Sequence, residues 1–352
     1  MFQIEMLPAR EGDCLLLTYG KAGEHRILVD GGRAATYSDL KARLSTLPET
    51  DREFELLIVT HVDRDHIEGV LAMLEDPARP AQFRDLWFNG YDHLLNVNLE
   101  TFGAVQGEKL TSRILELRLP WNKRFEGKSV EIRGELRAIE LEGGLKLTVL
   151  SPNRQKLETL IPRWVRECGK EGLIPGVEPA GRDAPDDLEM FGPIKIDELA
   201  EEPFAADTSE PNGTSIALLV EYEGKRVLLA GDAHADLLES SLGTLAKAEG
   251  GRLRLDAVKV SHHGSARNTS RQVLDLISCR TYLLSTNGSI YGHPDRTTMA
   301  RLINFGGSEK EFVFNYMSDE TAIWDNPRWK AKHRYQTRYP SATANGTAVI
   351  SL

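Results

Sequence analysis

The sequence predicts a layered α/β fold, an αββα sandwich of two mixed sheets packed face to face with helices outside. Three observations carry that reading. Short apolar, β-branched runs alternate with helical patterns along most of the 352 residues. The runs at 215–223 and 225–231 read as a hairpin around Glu223-Gly224. Several runs end in His or Asp, and α/β folds place chemistry at the carboxyl ends of strands.

In chain order, strands are expected at 2–6, 13–19 and 25–30, then a helix over 37–47. Phe54-Glu55-Leu56-Leu57-Ile58-Val59 is apolar enough for a covered strand, and Ile67 and Val70 to Leu74 begin a helical pattern. The segment Arg84 to Trp121 holds a short strand (LWFNG) and a helix from Lys109. A strand over 145–150 precedes Ser151-Pro152. The helix over 154–168 sets Leu157, Leu160, Ile161 and Trp164 on one face. After the hairpin, strand and helix alternate to about residue 316. The whole reads as a single domain, 1–352, with an insertion at about 90–210 and a C-terminal extension over 318–352 that packs as an edge element. No short-period repeat or low-complexity tract interrupts it.

The strand ends carry the chemistry. His61, Asp63, Asp65 and His66 crowd the loop after the strand that begins at Phe54. Downstream, Lys225 to Asp232 delivers Asp232, Leu255 to Ser265 delivers His262 and His263, and Thr281 to Pro294 delivers His293. Imidazole with carboxylate is a ligand set for zinc, manganese or iron. The plainer alternative is a helix N-cap at Asp63 or Asp65. A cap uses one such side chain and explains neither histidine. Asp30, at the end of His25 to Gly32, is expected to support the loop by hydrogen bonds, and Gly31 and Gly32 to let backbone approach it closely.

The blocks His-x-Asp-x-Asp-His, Gly-Asp, His-His-Gly-Ser and Gly-His-Pro, in that order between Gly12 and Pro294, resemble the metallo-β-lactamase fold hydrolases. They are most similar to the branch that includes the hydrolase domain of bacterial competence (DNA-uptake) proteins. The resemblance implies a dinuclear site for two divalent metal ions, zinc or manganese. His61 and Asp63 would hold one ion, Asp65, His66 and His293 the other, and Asp232 would bridge them. Such a pair lowers the pKa of a shared water, which Asp65 would orient. His263, or its neighbour His262, would complete a metal shell or give a proton to the leaving oxygen. Two departures stand out. Asp63 replaces the commoner middle histidine, and the usual isolated histidine has no counterpart, Asn212 lying nearest its place. Both make the site richer in oxygen, which shifts preference toward manganese or magnesium while keeping zinc in the set.

The implied activity is a metal-dependent phosphodiesterase or nuclease acting on a nucleotide or nucleic-acid substrate. The alternatives are ester, lactone or amide hydrolysis on the same site, and a catalytically quiet member that binds a nucleotide or partner. Gln106-Gly107-Glu108-Lys109 reads as a helix start or a substrate contact. Arg267, Asn287 and Tyr291 flank ligand positions and suit either phosphate contact or structure.

The formal net charge is −10. It argues against a non-specific grip on long nucleic acid, where affinity comes from phosphate neutralisation by Lys and Arg. The excess is local. Glu171 to Glu210 holds twelve acidic against two basic residues, and the rest of the chain is balanced. That stretch reads as a mobile acidic loop, a linker or a lid, and offers a surface to a protein partner. No apolar stretch approaches the roughly 20 residues of a membrane span. The N-terminus lacks the basic head and apolar core of a signal peptide. Cys14, Cys168 and Cys279 lack metal-ligand spacing and read as buried thiols, which together point to a cytoplasmic protein.

Overall fold

The computed structural model describes residues 1–95, 105–169, 194–341 and 346–352. Its first sheet has six strands: β1 (Phe2–Met6), β2 (Leu15–Tyr19), β3 (His25–Val29), β4 (Leu56–Ile58), β5 (Leu86–Trp87) and β14 (Ala348–Ser351), in the order β14-β1-β2-β3-β4-β5. The second has eight: β6 (Ala138–Glu140), β7 (Lys146–Ser151), β8 (Ala217–Tyr222), β9 (Lys225–Leu229), β10 (Ala257–Lys259), β11 (Thr281–Leu284), β12 (Lys310–Phe314) and β13 (Tyr335–Arg338). They lie side by side in chain order. Pairing is antiparallel from β14 to β3 and from β6 to β9, and parallel from β3 to β5 and from β9 to β13.

Alternation along the strands makes the layers. In β2, Leu15 and Leu17 point into the core between the sheets, together with Ile27, Ile58, Leu218 and Leu229. Leu16 points the other way, into a core with Leu28, Leu57 and the helices α1 (Tyr37–Ser45), α2 (Arg64–Glu75) and α5 (Arg154–Gly169). The outer face of the second sheet, including Leu228, Val258 and Tyr282, packs on α8 (Ala235–Ala248) and α10 (Arg296–Phe305). Strands covered on both faces need apolar residues at successive positions, and this is why Leu56-Leu57-Ile58-Val59 does not alternate. The αββα order follows from these three cores.

The parallel strands set the working edge. β3 and β4 end shortly before Asp30 and His61, and β9, β10 and β11 end near Asp232, His263 and Ser285, all at one end of the sandwich. Helix α2 approaches this edge closely. A Cβ on Gly12 would stand 1.8 Å from the Asp65 carbonyl oxygen, and one on Gly69 1.9 Å from that of Gly31. Only glycine permits either contact.

The boundaries differ from expectation in two places. The helix expected from Lys109 begins earlier, as α4 (Val105–Glu116). Residues 171–193 of the acidic stretch lie outside the described residues, but 194–210 is not a bare loop. It forms α6 (Ile196–Ala200), whose Ile196 and Ala200, one turn apart, are buried in the outer core. The C-terminal run Ala348 to Ser351 pairs antiparallel with β1 and closes that edge of the sheet. Cys14 and Cys279 are buried free thiols, whereas the side chain of Cys168 lies outside the described ones.

Candidate metal centre

Three loops bring the polar residues together. The loop after β4 carries Thr60, His61, Asp63, Asp65 and His66. The loop after β9 carries Asp232, and the turn after β10 carries His262 and His263. Asp232 is 2% exposed and His66 is fully buried. His262 and His263 both adopt left-handed backbone, with φ of 47° and 52°. For non-glycine residues this costs on the order of 1–2 kcal/mol each, and it is observed here where two adjacent imidazoles reach one centre.

The centre is the Asp232 carboxylate. Four imidazole Nε2 atoms lie around its Oδ2: His66 at 3.3 Å, His263 at 3.6 Å, and His61 and His262 each at 3.7 Å. The opposite nitrogen of every ring is occupied. Asp30 Oδ2 accepts from His66 Nδ1 (2.8 Å) and from the Thr60 hydroxyl (2.8 Å). That hydroxyl has spent its one proton, so its oxygen accepts from His61 Nδ1 at 3.0 Å. His263 Nδ1 donates to the Ser285 carbonyl at 2.9 Å, and His262 Nδ1 to Asn268 Oδ1 at 2.9 Å. Asn268 is oriented because its Nδ2 donates to Asp207 Oδ2 and to the Asp232 carbonyl. Each ring is therefore held as the Nδ1–H tautomer with its Nε2 lone pair turned inward. His93 and His234 are different. Gly90 N donates to His93 Nδ1, Lys156 Nζ to His234 Nδ1, and both Nε2 atoms lie against backbone carbonyls.

This donor set fits a divalent metal. His66 Nε2 faces His263 Nε2 at 3.1 Å, so two inward lone pairs meet and a positive charge belongs between them. His61 Nε2, Asp232 Oδ1, Asn212 Oδ1 and Asp13 Oδ1 are buried without any hydrogen-bond partner. His61, His66 and Asp232 offer ligand atoms within 4.8 Å of one another, as do Asp13, His66 and His263. Without a metal, protons take its place. Burial opposes charging these rings, but Asp232 outweighs it, raising His66 and His262 and pushing His263 up to about 10. Burial likewise opposes ionising Asp232 and Asp65, yet the surrounding histidines hold both carboxyls below the usual range.

The remaining expected residues fall in different places. Asp65 Oδ2 lies 3.4 Å from His263 Nε2 and 4.0 Å from His66 Nε2. Asp63 lies 3.7 Å from His61 Nε2, and it occupies the N-cap position of α2 without making a side-chain cap bond. His293, grouped from sequence with Asp65 and His66, pairs through Nδ1 with Asp295 at 3.0 Å and sits beside the ring of His262. The imidazole beside Asp65 and His66 is His263. Asn212 donates to Asp207 Oδ2 at 2.7 Å, which turns its Oδ1 away from that carboxylate.

Three participants escaped the sequence reading. Asp13 sits 3.4 Å behind His263 Nδ1, its Oδ2 held at 2.8 Å by the fully buried Lys259. Since it faces the Nδ1 side, Asp13 orients the ring and is not placed as an inner ligand. Asp207 and Asn268 do the same for His262.

No family model and no curated protein matches the chain. Among solved structures it is similar to the metallo-β-lactamase fold protein YhfI from Bacillus subtilis (TM-score 0.43, 9% identity, all of both chains covered). It is similar to Zn(2+)-bound PqqB from Methylobacterium extorquens at the same TM-score, with 11% identity over all of both chains. It also aligns with the CmlA β-hydroxylase E377D mutant (TM-score 0.39, 12% identity), spanning 54% of that chain's length.

Proposed function

We propose that the protein is a metal-dependent hydrolase whose substrate is a phosphodiester, of the nucleotide or nucleic-acid kind. One observation carries the metal reading: four Nε2 lone pairs, each fixed by a partner on Nδ1, converge on Asp232. His61, His66, His263 and Asp232, with Asp63 and Asp65 beside them, would hold one or two zinc or manganese ions. Bound there, the metal would supply Lewis acidity and a water ionised near neutral pH.

The chain's own groups do the rest. Asp65, half-buried at the rim of the cluster, would orient that water as an acceptor. His263 is 2% exposed at its side chain and faces inward, as a ligand does. His262 is 24% exposed, with Nδ1 fixed by Asn268. Its affinity for a proton is raised above the ordinary histidine value, burial notwithstanding, by Asp232 and Asp207. With both its nitrogens protonated, His262 would thus give its Nε2 proton to a leaving oxygen, while His263 would serve as a ligand.

Arg10 and Arg267 favour a phosphodiester over a carboxylic ester. Both are exposed, three residues before Asp13 and four after His263; Arg267 donates to the Ala206 carbonyl at 3.2 Å, and either guanidinium would bind an anionic oxygen brought to it. The Gly-Asp, His-His-Gly-Ser and Gly-His-Pro blocks support the same substrate class through their resemblance to the DNA-uptake hydrolase domain. The net charge of −10 favours a small substrate over long duplex.

The test is a parallel assay of bis(p-nitrophenyl) phosphate, cyclic and linear dinucleotides, p-nitrophenyl acetate and a simple lactone, each with zinc and with manganese. Phosphodiester turnover that drops at least a hundredfold in His262→Ala is expected. Turnover of the ester or lactone alone would overturn the substrate class, and metal binding without any turnover would overturn the enzyme.

A further inference from the structure

The Gln106-Gly107-Glu108-Lys109 block, left open by sequence, sits on a second polar cluster away from the histidines. Helix α3 (Tyr91–Leu95) follows Gly90, and Thr111 of α4 lies against that glycine. Glu108 is 5% exposed, yet neither of its carboxylate oxygens has a hydrogen-bond partner. Thr111, one turn further along the same face of α4, is 8% exposed, and its hydroxyl is also unpartnered. Its Oγ1 lies 3.0 Å from where a Cβ on Gly90 would stand, at the head of α3. Asp92, two residues on, contributes a third acid whose buried Oδ1 has no partner.

Four oxygens without partners at one helix junction is an unusual cost. A buried polar atom left unpaired costs about 1–3 kcal/mol, and more when it is charged. Like charge makes this pair worse. Burial and the neighbouring Asp92 push Glu108 up to about 8, and burial raises Asp92 to about 6. No basic side chain among the described residues acts on either acid, and residues 96–104 contain no Lys, Arg or His.

We propose that Asp92, Glu108 and Thr111 form a binding site for a hard divalent cation of the calcium or magnesium type, separate from the histidine-rich centre. Every unpartnered atom in the group is a carboxylate or hydroxyl oxygen, the donor type these cations select, with water completing the coordination. The absence of imidazole sets it apart from the Asp232 cluster. The site also touches the metal-ligand loop. A Cβ on Gly107 would stand 3.2 Å from Val62 Cγ1, and Val62 lies between His61 and Asp63. A cation at Glu108 therefore braces α4 against the residues that present those two ligands. This inference stands independently of the proposed hydrolase activity.

The test uses the whole protein with zinc supplied to the histidine centre and then removed from the buffer. Calcium and magnesium chlorides are titrated separately by calorimetry, and melting is followed at a hundredfold excess over Kd. The expected result is saturable binding of one cation and a rise in Tm of roughly 3–5 °C. Glu108→Gln and Asp92→Asn should each abolish both responses while leaving zinc content unchanged. Should Glu108→Gln fail to fold, the half-buried Asp92→Asn makes the same comparison. Binding of neither cation by the native protein would overturn the proposal, as would binding that survives these substitutions. A rise in Tm in Glu108→Gln with no cation response in the native protein would mark Glu108 as a neutral buried acid, and would equally overturn it.

Discussion

Asp30→Asn is the perturbation that most finely separates metal binding from folding. Asp30 is fully buried and accepts three hydrogen bonds, each 2.8 Å long, from Thr60 N, the Thr60 hydroxyl and His66 Nδ1. Asparagine keeps one oxygen for Thr60 N. Its amide nitrogen then faces a hydroxyl, which can turn round and accept, and His66 Nδ1–H, which cannot. His66 relieves the clash of donors by moving its proton to Nε2, and the lone pair that faces Asp232 is lost. Loss of such an orienting partner weakens metal binding about 10–100-fold, or about 1.4–2.7 kcal/mol. Folding of the metal-free protein should lose only the one charge-assisted bond, about 1.5–3 kcal/mol. Asp30→Ala instead strands Thr60 N and His66 Nδ1 without acceptors and should cost folding about 3–6 kcal/mol. Zinc affinity measured by chelator competition, with urea melts of the metal-free proteins, gives both quantities. If Asp30→Asn holds zinc as tightly as the native chain, the tautomer argument is wrong.

Three further outcomes are expected. Asp63→Ala should reduce metal content and turnover, and Asp63→His should shift preference from manganese toward zinc, read by titrating activity with each metal. Lys259→Met leaves Asp13 charged and buried without its partner, so urea melts should show a loss of about 3–5 kcal/mol, largely restored in the Asp13→Asn/Lys259→Met double variant. Burial holds His93 neutral, its pKa pushed down to about 4. Its contribution to stability is therefore full above about pH 6.5 and falls away toward pH 4, by on the order of 3 kcal/mol, and acid melts of His93→Asn should lack that slope.

The parts legible in the sequence share one physical cause. The final residues of strands β4, β9 and β10 are covered on both faces, so these segments stand out as largely apolar, and His61, Asp232 and His262-His263 follow within four residues of the strand ends. Asp13 was hidden because β2 runs the opposite way. Leu15 pairs with Val29, which puts the start of β2, and the end of β3, at the working edge. A Gly-Asp before a strand looks like an ordinary turn, and only the antiparallel register gives it meaning. Asp207 and Asn268 were hidden because they act through the Nδ1 side of His262 from separate loops. The environment of Glu108 is a matter of helix packing, and nothing in the local sequence announces that its oxygens lack partners.

Metal content is the most direct test of the central claim that the ring of imidazoles around Asp232 is a metal site. The native protein and Asp232→Ala are each incubated with zinc or manganese, desalted, and analysed for metal by mass spectrometry, with circular dichroism to confirm that both are folded. About one to two ions per chain are expected in the native protein and at least one fewer in the variant, because Asp232 Oδ2 is the point on which all four Nε2 atoms converge. A native protein that retains neither metal, or a folded Asp232→Ala with the native metal content, would contradict the account.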